Sequence, residues 1–328
     1  MSNKKSKRAA NVRSSILVLL LIAILLIAST YAWFTSNRVV TISSIDVHVE
    51  ASSGIQISVD GINWKTVISN SDITAASDTY SAAVNQLPAT MVPVSTAGVV
   101  SGDRMAMYYG VVTANETTGN YELTATAETD ANGTSGKYVA FDVFLKLDQA
   151  ETIYLTEGSD VTHQSTTAAP SDKGLKNAAR VGFCVLGNTN SNSTTQVIQG
   201  LTGGTTSYIW EPNYDVHTQA GVNAASSIYG ITTSLTGGSQ LSYYGVKAPI
   251  STAVALNNTS NTLFTSLTNP IKTAAGHQAG TVQLMSGSAG ITKVRIYMWI
   301  EGQDVDCENS ASGSDIRFDL GFTIDPST

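Results

Sequence analysis

The sequence predicts an all-β fold, an antiparallel β-sandwich of jelly-roll type with a long polar insertion. Three observations lead there. Ser, Thr, Gly, Asn and Val are abundant while only 13% of residues are charged, a composition suited to strands and turns rather than coiled coils or charge-driven disorder. Apolar residues recur at every second position in many short runs, the period of a half-buried strand. No long stretch keeps a helical period. At 328 residues, 42% of them hydrophobic, the chain suffices for one large domain or two smaller ones.

The elements follow in chain order. Arg38–Glu50 carries two alternating runs, Val40/Ile42 and Ile45/Val47/Val49. Ile55, Ile57 and Val59 lead into Asp60-Gly61, a tight-turn pair, and then Ile62 and Trp64. Asp72–Gln86 is the stretch suited to a short helix. Strands are expected at Met105–Ala114, Tyr121–Thr129, Tyr138–Leu147, Thr152–Leu155 and Arg180–Leu186. In Tyr138–Leu147 the residues Val139, Phe141, Val143, Leu145 and Leu147 share one face. Gly280–Leu284, Lys293–Glu301 and Ser314–Asp325 close the chain. Val294, Ile296, Met298 and Ile300, and likewise Ile316, Phe318, Leu320, Phe322 and Ile324, are expected to point inward. Between the two blocks, residues 187–279 are dense in Asn, Ser, Thr and Gly with isolated apolar islands such as Tyr208-Ile209-Trp210. They read as an insertion or small subdomain in a core made of residues 33–186 and 280–328.

Residues 1–32 read as a secretory signal. Lys4, Lys5, Lys7, Arg8 and Arg13 precede thirteen consecutive apolar residues, Ile16–Ala28, and a small-residue exit ends at Ala32. Cleavage between Ala32 and Trp33 is expected. The alternative is a retained membrane helix, for which thirteen residues fall short of the roughly 20 needed unless Ser29–Phe34 extends the run. From Trp33 onward 13 basic residues stand against 25 acidic ones. Such an acidic body is a poor partner for phosphate backbones, which argues against nucleic acid.

Chemistry-bearing motifs are sparse. The four histidines, His48, His163, His217 and His277, are scattered, and the sequence has no H-E-x-x-H, G-x-S-x-G, P-loop or G-x-G-x-x-G. No catalytic residue is assigned. The densest acidic constellation is Glu301, Asp304, Asp306 and Glu308, between the last two strands. Closely spaced loop oxygens suit calcium, but acids are equally common in turns because they cap and solvate. Two cysteines in an exported chain make Cys184–Cys307 the one possible disulfide, with two buried thiols as the alternative.

The join Thr30-Tyr31-Ala32-Trp33-Phe34-Thr35-Ser36-Asn37 resembles the TasA/camelysin group, exported proteins of Gram-positive bacteria processed by a dedicated signal peptidase. The segment Arg295–Cys307, with its I-x-M-W-I-E-G-Q-D-V-D-C ending, is similar to that of related Gram-positive surface proteins. The two together span about the first 60 and last 45 residues. What the resemblance implies is a secreted jelly-roll subunit of cell-surface or biofilm-matrix fibres. Its partners would be identical subunits, the signal peptidase, and an accessory anchor or minor subunit. Trp33–Val49 has the features of a donor strand: it begins at the new terminus, carries Trp33 and Phe34 as bulky anchors, and continues in the β-branched Val39, Val40, Ile42 and Ile45. The same segment could equally be an ordinary first strand. Two further alternatives stay open: a non-polymerising surface-displayed binding protein held by its N-terminal helix, and a metallo-endopeptidase of the camelysin kind, for which no zinc motif is present.

Overall fold

The computed structural model describes residues 40–50, 54–167, 169–229, 244–255, 263–276, 282–308 and 311–325. The signal segment, its cleavage junction and Trp33, Phe34 and Val39 lie outside them. The strands described are, in order, β1 (Val40–Val49), β2 (Gln56–Ser58), β3 (Val67–Ile68), β4 (Asn85–Gln86), β5 (Thr90–Met91), β6 (Met107–Ala114), β7 (Tyr121–Glu128), β8 (Val139–Leu147), β9 (Glu151–Leu155) and β10 (Asp160–His163). They continue with β11 (Ala179–Thr189), β12 (Thr206–Pro212), β13 (Tyr244–Val246), β14 (Ile250–Ala255), β15 (Phe264–Ser266), β16 (Pro270–Thr273), β17 (Val282–Gly287), β18 (Gly290–Ile300) and β19 (Asp315–Thr323).

The chain is an all-β sandwich. One seven-stranded sheet runs β17-β9-β19-β1-β3, with β10 on β19 and β5 on β1; the other runs β16-β12-β11-β18-β8-β2, with β4 on β8. Val47, Phe318 and Leu320 from the first and Phe141, Phe183 and Ile296 from the second meet in one buried core. The inward faces expected for β8, β18 and β19 lie there. Pairing is mostly antiparallel, with two exceptions: β1 runs parallel to β19, and β12 parallel to β16.

Three local outcomes differ from the sequence expectation. The helix is Asn70–Thr79, shorter and earlier than Asp72–Gln86, because Ser69 caps it in a reciprocal box with Asp72 and it ends at Tyr80. The described residues between 187 and 279 contribute strands to the sheets and are not set apart from them. β12 extends the second sheet, with Trp210 in the main core, and β14 completes a three-stranded sheet with β7 and β6. The two cysteines are not bridged. Cys184 points away from the main core, into a cluster with Met105, Leu267 and Trp299, whereas Cys307 belongs to the main core, so they lie on opposite faces of the second sheet. Burial pushes the Cys184 thiol up to about 12.

The strands β8 and β18 are buried on both faces. All eleven residues of β18 are buried, including Lys293, Arg295, Tyr297 and Trp299 on the face turned from the core. Val94, Met105 and Met107 cover part of that outer face.

Candidate functional site

Two places stand out: the seat of β1 and the loop after β18. In β1, Val40, Ile45, Val47 and Val49 are buried and alternate with more exposed residues, with Ile42 packed at the margin. The strand pairs with β19 from Thr41↔Asp315 to Val49↔Phe322, interrupted by a register shift between Ile42 and Ser44. Its other edge is covered lightly, by β5 over Val40 and Thr41 and by β3 over Val47 and His48. Thus Val40, Ile42 and Ile45 of the expected donor segment occupy their own chain's sheet, next to the C-terminal strand. Gly321 sits under His48 and Thr156 so closely that a Cβ there would lie 2.5 Å from His48 Nε2. His48 is therefore a packing histidine at the β1–β19 contact.

The loop after β18 folds as successive turns, in which Asp304 N–H donates to the Glu301 carbonyl and Cys307 N–H to that of Asp304. The four acids expected to act together separate. Glu301 turns to Trp299, accepting from its indole N–H at 3.0 Å, and to the Gln303 N–H at 2.9 Å. Glu308 lies outside the group formed by the other two. Among the described residues, ligand-capable atoms of His217, Asp304 and Asp306 lie within 4.8 Å of one another.

Each member is held by a different element. Arg180 of β11 donates to Asp304 Oδ2 at 2.6 Å and to Glu211 Oε1 at 2.9 Å, while its other terminal nitrogen holds the carbonyls of Asn177 and Ala179. Asp306 Oδ1 accepts from the Thr218 N–H at 2.8 Å and hydroxyl at 2.7 Å, at the start of the helix Gln219–Tyr229. A carboxylate there complements the helix dipole and its unpaired N–H groups. Gly221 is required by this approach, since a Cβ would meet Asp306 Oδ1 and the Val305 carbonyl at 2.7 Å. Asp306 Oδ2 is 3.1 Å from both His217 Nδ1 and Asn177 Nδ2.

The electrostatics are those of buried like charges. Burial, with the Asp306 charge beside it, holds the Asp304 carboxyl above the usual range although Arg180 pulls it down. Burial alone would depress His217, but its hydrogen bond to Asp306 and the charges of Asp304 and Asp306 raise it. Sequence reading located the two aspartates and missed Arg180, Asn177 and His217. They lie 124, 129 and 89 residues from their partners, and no local spacing marks them.

A second buried ion network ties the outer face of β18 to its surroundings. Arg295 grips Asp142 through Nε at 2.6 Å and Nη2 at 3.2 Å, and reaches Asp130 at 3.0 Å. Lys293 donates to Tyr80 Oη at 2.6 Å and to the carbonyls of Gln199 and Leu201, with Asp142 3.7 Å away. Burial holds the Lys293 ammonium below the usual lysine range against the pull of Asp142. Every polar atom in these contacts has a partner, which marks a structural clamp.

Comparison with protein-family models, with curated proteins and with solved structures gave no match. Among the described residues no helix is long and apolar enough to cross a membrane; Ile16–Ala28 lies outside them.

Proposed function

We propose that the chain is an exported structural subunit that polymerises into extracellular fibres by donating its N-terminal strand to a neighbouring copy. The observation that carries this reading is the setting of β1. It is the first strand described, it adds parallel to β19, and its far edge is held near its two ends, by two ladder pairs and one further main-chain bond at each, with Ser44–Asp46 between them unpaired on that edge. Once cleavage frees its N-terminal side, a strand with an apolar inner face and a partly covered outer edge could be exchanged between identical copies without changing any other pairing. The vacated seat would expose the β19 backbone and the pockets of Ile45, Val47 and Val49. The same segment of a neighbour fits that seat by identity. Such a contact is head-to-tail and propagates as a fibre unless it closes into a ring.

In this reading residues 1–32 direct export, cleavage after Ala32 frees the strand, and Trp33, Phe34 and Val39 extend it along the acceptor. The partners are identical subunits and a signal peptidase. The role is structural, with no catalytic residue assigned. The test is deletion of Trp33–Arg38 behind an intact signal. Soluble folded subunits that regain assembly when a Trp33–Val49 peptide is added are the expected result. Filaments that persist unchanged overturn strand donation. Protein that stays monomeric and membrane-bound with Ile16–Ala28 still attached favours a surface-displayed, non-polymerising protein instead.

A further inference from the structure

We infer that His217, Asp304, Asp306 and Asn177 form a binding site for a divalent transition-metal cation of the zinc class, which staples the segment before the helix Gln219–Tyr229 to the loop after β18. The inference is independent of the fibre reading, because the site is remote in sequence from β1 and uses none of its residues.

Three features of the cluster point to an ion. The first is the donor set: an imidazole and two carboxylates, brought from separate segments to within 4.8 Å, is the mixture that zinc, cobalt and manganese accept and that calcium, which takes oxygen alone, does not favour. His217 Nδ1 and Asp306 Oδ2 are 3.1 Å apart. Two ligand bonds of about 2.1 Å span that gap at close to a right angle.

The second is charge. Asp304, Asp306 and Glu211 are all buried, and Arg180 is the one buried cation shown among them. Lys272 approaches Glu211 only to 3.7 Å from a side chain 41% exposed, so water screens much of its charge. Counted fully ionised, with His217 neutral, the three carboxylates and Arg180 leave two negative charges for a dication to match.

The third is Asn177, which is independent of the acids. It is 4% exposed, its Nδ2 sits on Asp306 Oδ2, and its Oδ1 is buried without a hydrogen-bond partner. An unpaired buried amide oxygen costs about 1–3 kcal/mol. Turning the amide over would present that oxygen to an ion held between Asp306 and His217, in exchange for the bond from Nδ2 to Asp306 Oδ2. Arg180 holds Asp304 Oδ2 and the Asp306 N–H holds Oδ1 at 2.9 Å, which fixes the orientation of that ligand.

The experiment uses the full chain, stripped with a chelator and titrated separately with Zn²⁺, Co²⁺ and Ca²⁺. Expected are a rise in melting temperature with Zn²⁺ and Co²⁺, as for any ligand of the folded state, and a visible cobalt spectrum that Zn²⁺ abolishes. His217→Ala and Asn177→Ala should weaken Zn²⁺ binding by more than about tenfold, whereas Glu301→Gln leaves it unchanged. An unaltered melting curve with all three ions overturns the site. So does Zn²⁺ binding undiminished in His217→Ala, or stabilisation by Ca²⁺ alone. Should His217→Ala fail to fold, the imidazole nitrogen resonances of the unaltered chain decide: a Zn²⁺-dependent shift at His217 supports the site, and their constancy refutes it.

Discussion

Strands β1 and β18 both lie inside a sheet, yet they are held in different ways. β18 pairs along its length on both sides, with β11 and β8, and is buried on both faces. Its outer face carries Lys293 and Arg295, charges that cannot leave their partners without stranding them in a low-dielectric interior. β1 buries one face, leaves the other half-buried, and is paired along its length on one edge, with its other edge engaged near each end. The difference separates a strand that defines the fold from one that can be exchanged. Removing β18 would break ion networks and two ladders, whereas in the proposed exchange a like strand from a neighbour would refill the seat of β1.

The sharpest way to break this comparison is Arg295→Ala. It leaves Asp142 and Asp130 buried without their guanidinium and should destabilise the subunit by about 3–5 kcal/mol in denaturant melts. A loss below about 1 kcal/mol would mean that water reaches the outer face of β18, and the contrast fails. Next is Ile45→Ala, which empties a core seat and should cost about 2–4 kcal/mol. If β1 is exchanged, the loss appears in filament disassembly as well as in subunit unfolding, since the same seat is filled in both. A loss seen in subunits and not in filaments would show that filaments do not use that seat.

The contrast was only half legible in the sequence. Alternation identified β1, β8, β18 and β19 and their inward faces because each keeps an apolar residue at every second position against one core. The outer faces of β8 and β18 were unreadable. Asp142, Lys293 and Arg295 look like solvent-facing residues, and nothing local tells that Tyr80, Gln199 and Met105 fold over that side. The parallel pairing of β1 with β19 was hidden for a related reason, since no hairpin turn joins strands some 270 residues apart. Of the cation cluster, Asp304 and Asp306 stood out by their spacing. Arg180, His217 and Asn177 did not, because topology assembles them. Cys184 and Cys307 illustrate the limit in reverse: composition made them a pair, and the fold puts Cys184 of β11 in the outer cluster and Cys307, in the loop after β18, in the main core.

A smaller, pH-dependent effect probes the cap over β18. Asp60 is buried, which would raise its carboxyl, but it accepts from the Asn63 and Ile62 N–H groups, the Asn63 amide and the Ser58 hydroxyl, and is held at about 2 against an ordinary 3.8. A depressed folded-state value contributes stability that is complete above about pH 4 and is lost as the pH falls toward 2. The Asp60 carbonyl also accepts from the Gln199 amide, whose own main-chain carbonyl holds Lys293. Acid should therefore loosen this turn only as the pH approaches 2. Urea midpoints that fall between pH 4 and 2, with the fall blunted in Asp60→Asn, are the expected result; a flat profile would remove this turn from the structure supporting β18.

The smallest effect is expected on the open face of β1. Arg317 of β19 reaches Asp319 at 2.8 Å and Asp46 of β1 at 3.0 Å, and it is the charged link between the two strands on that side. Arg317 and Asp46 are both more than 40% exposed, so water and salt screen the pair and side-chain entropy opposes it. Arg317→Ala should leave the unfolding midpoint of the isolated subunit unchanged within error, with or without added salt. The informative comparison is the same substitution in assembled material. If the open face stays in water, filaments tolerate it equally well, and β1 is held across the subunit boundary by its ladder and its apolar face alone. Filaments that dissolve while the subunit is unaffected would show that this face is covered on assembly. The Asp46–Arg317 pair would then be a desolvated contact, and the light hold on β1 would be a property of the free subunit only.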